Sequence, residues 1–210
     1  MIEISRPLAI ALLVGTALLG IGAALHPMLP ADVAGQLGMI AAAPTFRPVH
    51  LAMLCGSGLI IAGVWTRLVI ARPVAPTALI GALGLVCLGL CFNAIDIAFM
   101  GGAGWHLATE YLAGRSEVAP LFEALHRFGL LSARFGNFLV ALGALMLGFV
   151  ERGDPASPRW MAWLAWIAAA GGLAGVMLVP ETSLLMLAAV TLISGWSVGT
   201  AVRALRGERA

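Results

Sequence analysis

Four histidines, His26, His50, His106 and His126, carry the most versatile chemistry in this chain. Neutral imidazole ligates metals and haem iron, and it exchanges protons near neutral pH. His26 closes the first apolar segment and His50 opens the second, while His106 follows the third and His126 precedes the fourth. If each segment crosses a membrane, all four lie at one end of the bundle. Ligand-type side chains gathered at one surface predict a metal or haem site. For each imidazole alone, the plain alternative is a helix cap or a water-bound interfacial side chain.

Neighbouring residues widen the choice of ligand. Glu110 lies four residues after His106, on the same face of any helix formed there. Glu123 and His126 form Glu-x-x-His, a spacing that di-iron bundles use, but those sites need two such motifs and this chain has one. Met28, Met39, Met53 and Met100 cluster toward the same side, and thioether beside imidazole suits copper. The histidines also permit bis-His haem b or a three- or four-ligand site for another transition metal. Gly20 and Gly22 before His26, and Gly56 and Gly58 after His50, would leave room for a porphyrin. Cys-x-x-Cys-His is absent, which excludes c-type attachment.

A second polar set falls inside the apolar segments. Asn93, Asp96 and Met100 share a face of the third, and Glu123, Arg127, Arg134 and Asn137 lie near one stripe of the fourth. Charge inside a spanning helix is costly and needs a partner. Antiparallel packing predicts an Asp96–Arg134 pair, with Asn93 beside Asn137. Such a pair either locks the two helices or handles a substrate or proton.

The elements that position these groups follow from composition. Of 210 residues, 61% are hydrophobic and 10% charged, against roughly 45–50% and about 25% in soluble domains. Six stretches satisfy the length of about 20 apolar residues that a spanning helix needs: residues 8–25, 49–66, 78–100, 129–150, 160–179 and 183–202. The chain therefore reads as a single all-α, polytopic transmembrane bundle of six helices. Proline and arginine punctuate the segments, and no β-barrel alternation is present. The first segment is too long for a typical signal-peptide core and reads as a retained helix. Residues 101–128 form a long loop, with Gly101, Gly102 and Gly104 breaking the third helix. A short interfacial helix from Trp105 to Leu112 follows, and Pro120 sits in the first turn of the next helix.

Every basic residue is arginine. Arg6, Arg67, Arg72, Arg152, Arg159, Arg203, Arg206 and Arg209 fall at one end; Arg47, Arg115, Arg127 and Arg134 belong to the other half. The positive-inside rule makes the first end cytoplasmic, with both termini inside and the histidines outside. Arginine-only, Ala- and Gly-rich composition points to a GC-rich bacterial genome and hence to the bacterial cytoplasmic membrane. A net charge of +2 without a basic run gives no footing for nucleic acid. Gly171 with Gly175 and Gly195 with Gly199 have the small-xxx-small spacing of close helix packing. Cys55, Cys87 and Cys91 read as small buried hydrophobes, and Trp160, Trp163 and Trp166 as a lipid-facing ridge. Walker A, Gly-x-Ser-x-Gly and His-Glu-x-x-His sequences are absent.

His26-Pro27, Phe46 four residues before His50, and Asp96 late in the third segment resemble a pattern in uncharacterised small six-helix bacterial membrane proteins. The resemblance covers about the first half of the chain and implies no known activity. It gives His26, His50 and Asp96 more weight than His106 and His126. Three functions compete: a haem- or metal-binding redox or metal-handling protein, a non-catalytic subunit of a larger membrane complex or homo-oligomer, and a small-molecule transporter or binding protein.

Overall fold

A computed structural model of the chain describes residues 2–70, 76–180 and 183–207, all helical or connecting, with no strand among them. The expected segment at Arg72–Pro73 and the residues Glu181, Thr182 and Arg209 lie outside the described residues. The helices are α1 (Ile2–Leu25), α2 (Val33–Ala42), α3 (Phe46–Gly63), α4 (Thr66–Ile70), α5 (Pro76–Phe99), α6 (Trp105–Leu112), α7 (Ala119–Gly153), α8 (Arg159–Leu178) and α9 (Ala188–Leu205). Six stretches are long and apolar enough to cross a membrane: Ser5–Leu25, Phe46–Ile70, Pro76–Leu112, Ser116–Gly153, Arg159–Leu178 and Ala188–Leu205.

These six close into a ring. α1 packs on α3, α3 on α5, α5 on α7, α7 on α8, α8 on α9, and α9 returns to α1. Their inward faces make one core that includes Leu12, Ile60, Leu83, Val140, Ala165 and Trp196. Glycines set the closest approaches. A Cβ on Gly89 would lie 2.5 Å from the Gly136 carbonyl oxygen, and a Cβ on Gly136 would lie 2.5 Å from that of Gly89. Gly15 and Gly56 do the same for α1 and α3, at 2.7 and 2.8 Å. Backbones that close need a residue without a side chain on both sides.

Two helices outrun a bilayer. At 1.5 Å per residue α7 is about 52 Å long, against a hydrocarbon core of about 30 Å. Its first turn carries Pro120, whose missing N–H costs nothing there. The third span does not break at its glycines. Met100–Gly104 form a π-helical turn, and the chain runs on helically into α6. Three glycines in five residues loosen the hydrogen-bond ladder to the wider pitch without ending it, a device frequent near functional sites. α2 occupies a connection where a plain loop was expected. Asp32 caps it, its carboxylate accepting from the Gly35 N–H at 2.7 Å. Leu37 and Ile40 of α2, Ala108 of α6, Phe122 of α7, Phe46 and Met100 form a small second core that caps the histidine end of the ring.

The opposite end holds a buried charge network. After α3 the chain tightens, Arg67 N–H bonding Val64 and Leu68 N–H bonding Trp65, and this turn swings Arg67 inward. Arg67 is fully buried. It donates to both Glu151 oxygens at 2.8 and 3.0 Å and to Asp154 at 2.7 Å. Trp196 and Ser157 also donate to Glu151, and Arg203 donates to the Ala156 carbonyl at 3.0 Å. Arg67 is thus a tie between α4, α7 and α9, not the free loop charge that the arginine count made it.

Three smaller expectations change. Cys55 and Cys91 are exposed on the bundle surface, with Cys87 half-buried; all are free thiols. Trp160 and Trp163 are exposed, but Trp166 folds back over Gly148, where a Cβ would collide with its ring. Leu192 covers Gly171, so α8 and α9 do not approach there through glycine alone.

Candidate functional site

The histidine end encloses a cavity of about 540 Å³. α1 delivers His26 at its very end. Pro27 disfavours helical backbone at the residue before it, so the helix stops and the imidazole turns inward. α3 delivers His50 one turn after Phe46, whose carbonyl oxygen is 2.8 Å from the His50 Nδ1. A proton on Nδ1 makes that bond and leaves the Nε2 lone pair directed away. His50 Nε2 lies 3.2 Å from His26 Nε2. Phe46 stacks on His50 with centroids 4.2 Å apart and lies 5.9 Å from His26. From the far side Gly101 of the π turn presses on His50, where any Cβ would sit 2.9 Å from the His50 Cβ. Burial pushes the His26 imidazole below its ordinary range, a backbone hydrogen bond at Pro27 opposing this in part.

α7 delivers His126, buried against Phe122 and Phe99 with centroids 5.3 and 6.4 Å away. Its Nδ1 meets Gln36 Oε1 at 3.2 Å, and Gln36 Nε2 donates to the Pro30 carbonyl at 2.9 Å. Gln36 also lines the cavity and is a candidate site residue absent from the expected set. Its only sequence signal is the Asp32 cap that starts a helix in the connection after α1.

Deeper in the cavity, α5 and α7 supply the amides and the carboxyl. Asn137 Nδ2 donates to Asn93 Oδ1 at 2.9 Å and to the Ala133 carbonyl at 2.8 Å. Asn93 Nδ2 donates to Gly89. Asp96 lines the cavity, and its Oδ1 is buried with no hydrogen-bond partner among the described residues. That oxygen occupies the space a side chain on Gly129 would fill.

The expected Asp96–Arg134 pair does not form. Arg134 donates instead to the Val179 carbonyl just past the end of α8, where a helix terminus leaves carbonyls open to a cation. Gly129 faces Asp96, and five residues of helix turn Arg134 about 140° away from it. The stripe of α7 that meets α5 runs through Gly129, Gly136, Val140 and Gly143, not through Arg127 and Arg134.

Nor do all four histidines converge. His26, His50 and His126 line the cavity, whereas His106 is exposed on α6. Glu110 pairs with Arg115 at 2.9 Å, and Glu123 pairs with Arg127 one turn on. The Glu-x-x-His spacing therefore joins no common site, because each glutamate has a nearer arginine outside the cavity. Alanine at Glu123 is expected to change stability by no more than about 0.5 kcal/mol in a thermal melt, as exposed i,i+4 pairs do.

Haem and metal ions each impose a ligand spacing. Two axial histidines on one haem iron have their Nε2 atoms on the order of 4 Å apart with the porphyrin plane between them. At 3.2 Å and ring centroids of 4.9 Å, His26 and His50 leave no such gap. Two of the four glycines expected to make room are filled, Gly56 by the α1 backbone and Gly22 by Met53, whereas a Cβ on Gly20 or Gly58 would meet nothing within 4 Å. Haem b does not fit this pair. Two nitrogens on one tetrahedral ion lie about 3.3 Å apart, which the pair does match. Among the described residues, however, no three His, Cys, Asp or Glu side chains form a set that would hold a metal ion.

Fold and site together define a helical bundle with six potential membrane spans and a polar-floored cavity at one end. Comparison of the chain with protein-family models, with curated proteins and with solved structures finds no match.

Proposed function

We propose that this is a multi-pass protein of the bacterial cytoplasmic membrane that binds a small, largely apolar molecule in an outward-facing cavity, with His26, His50, His126 and Asp96 as its hydrogen-bonding groups. The observation that carries this reading is Asp96: a carboxyl in the cavity wall, with a buried oxygen that no described residue satisfies. An unpaired buried polar group costs roughly 1–3 kcal/mol, and Asp96 differs from others such as Ser197 in lining a cavity, where a ligand group can meet its carboxyl. The cavity volume falls in the ordinary range for small-molecule sites, about 300–1,000 Å³. The arginine distribution supports the orientation. With the buried Arg67 and Arg203 set aside, Arg6, Arg72, Arg152, Arg159, Arg206 and Arg209 still outweigh Arg47, Arg115 and Arg127.

Asp96→Leu tests the reading. It is expected to keep or raise the melting temperature, since it removes an unsatisfied group, by about 1 kcal/mol. Native mass spectrometry of protein in nanodiscs is expected to show a retained small molecule on the wild type and none on the variant. A variant destabilised by several kcal/mol would make Asp96 a structural residue and contradict the proposal.

The 3.2 Å His26–His50 contact favours a second reading, a soft metal ion such as Cu(I) held by the two Nε2 atoms with a thioether from Met28, Met53 or Met100 of the same cavity wall. On that reading one equivalent of copper binds the wild type and is lost in both His26→Ala and His50→Ala. His106→Ala retains it. Equal copper retention in all three variants would rule it out.

A further inference from the structure

The cavity has two openings of different character. Met28, 66% exposed, and Pro27 border it at the end of α1, at the outer face of the bundle. Between α1 and α9 it reaches the side of the bundle. Gly20 and Ala24 of α1 and Thr191 of α9 line the cavity and are also exposed. All three are small, and a Cβ on Gly20 would meet nothing within 4 Å. The outer surface beside them is apolar: Ile21 is 60% exposed, Leu25 62% and Leu192 37%. Gly20 lies five residues before the end of its span, about 7.5 Å below it along the helix. Thr191 lies three residues, about 4.5 Å, inside the start of the α9 span. The side opening therefore sits within the apolar thickness and not in the headgroup layer.

The wall also limits the head group. Among the described residues no arginine lines the cavity, and lysine is absent from the chain, so an anionic ligand would find no countercharge. An ammonium group would match Asp96 but would have to cross an apolar slot, at high cost for a fixed charge. A hydroxyl donates to the Asp96 carboxyl or to an imidazole Nε2 lone pair, since His50 and His126 turn their Nδ1–H toward Phe46 and Gln36. Thr16, Ser57, Asn93 and Ser194 in the same wall already spend a donor on the carbonyl four residues back, so Asp96, the histidines and the Thr191 and Ser183 hydroxyls meet the ligand.

We infer that the cavity is entered sideways from the bilayer through the gap between α1 and α9, and that its ligand is an uncharged, membrane-dissolved molecule bearing a hydroxyl group. This rests on the binding-cavity reading and adds the route and the chemical class. A long apolar tail lies in the Gly20–Thr191 gap while the hydroxyl reaches the polar floor.

The test uses three diazirine photoprobes on the full chain in proteoliposomes, with labelled positions mapped by mass spectrometry: a long-chain alcohol, the matching long-chain amine, and a short water-soluble alcohol. The long-chain alcohol is expected to label cavity residues in α1 and α9 at least about tenfold more than the amine does. Thr191→Trp is expected to cut that labelling by a similar factor and to leave labelling by the short alcohol, which enters past Met28, unchanged. Gly20→Phe plugs the slot from the other helix and repeats the result if Thr191→Trp fails to fold. Long-chain labelling unchanged by either plug, or amine labelling equal to alcohol labelling, overturns the inference. Labelling by the short alcohol alone overturns the lateral route and leaves the binding cavity standing. Labelling of the cavity by no probe overturns both.

Discussion

Arg67→Ala is expected to destabilise the bundle by about 3–5 kcal/mol, the range for breaking a buried ion pair from one side. The reason is what remains. Glu151 and Asp154, both buried, lose the guanidinium that neutralises them. Among the described residues, Glu151 keeps Trp196 and Ser157 as donors. Glu151→Ala is expected to cost a similar amount, because it leaves Arg67 buried with Asp154 alone. The double variant should lose much less than the sum, since the second change removes a charge already stranded. Reversible unfolding in mixed micelles checks the cycle. A loss below about 1 kcal/mol for Arg67→Ala would mean that water or lipid headgroups reach the network.

Gly136→Leu is expected to be the second most damaging change, costing about 3 kcal/mol or more, at the upper end for overpacking. A Cβ there meets the Gly89 carbonyl oxygen at 2.5 Å and the Asn93 backbone nitrogen at 2.9 Å. Neither backbone atom can swing aside as a side chain could, so α5 and α7 must separate. That separation also parts Asn93 from Asn137 and moves Asp96 relative to the cavity. The variant should therefore lose ligand retention together with stability, unlike Asp96→Leu, which loses retention alone. Gly84→Ala on α5 has no atom within 4 Å of its new methyl and serves as the control, with melting unchanged or raised by up to about 1 kcal/mol, the helix preference for Ala over Gly. A Gly136→Leu protein that melts like the wild type would contradict the helix contact itself.

The two networks divide the molecule by role. The Arg67 end is paired around Glu151 and ties α4, α7 and α9 together. The histidine end holds a carboxyl with an open valence, a loosened helix turn and a cap of short helices. Buried ion pairing is concentrated at one end, and the cavity with its ligand-type side chains lies at the other.

Much of the fold was legible because hydropathy in a bilayer is a strong and local signal. A run of 20 or so apolar residues matches the thickness of the hydrocarbon layer and exceeds what most soluble helices bury, and Pro120 marked a helix start by its own chemistry. Asp96, His26 and His50, which line the cavity, were legible as candidate site residues for a related reason, since a polar group at or inside an apolar span needs a partner or a task. What was not legible depends on helix rotation. A 3.6-residue period places Arg134 and Gly129 on nearly opposite sides of α7, and only the Gly89–Gly136 contact shows which side meets α5. Arg67 was counted as a loop charge because nothing in its neighbours announces the tight turn that swings it inward. The π turn was read as a break because three glycines fit either outcome. The reach of α2 over the cavity, and with it Gln36, follows from packing against α6 and has no local signature beyond Asp32.

The cavity also reorders the three functional readings. Haem b loses its ligand spacing, copper retains a two-histidine footing, and small-molecule binding gains an enclosed volume with an open carboxyl. The subunit reading survives in the exposed surface of α6, where His106 and the Glu110–Arg115 pair face outward and would suit a polar partner or a second copy of the chain.

An outward-facing cavity that takes up a ligand is tested most directly by one labelling experiment. Met28 is replaced by cysteine after Cys55, Cys87 and Cys91 are changed to alanine, and a membrane-impermeant maleimide is applied to spheroplasts. Met28→Cys is expected to be labelled from outside in intact spheroplasts, and a long-chain alcohol is expected to slow the labelling. Labelling that occurs only after the cytoplasmic face is exposed, or that no alcohol slows, would contradict such a cavity.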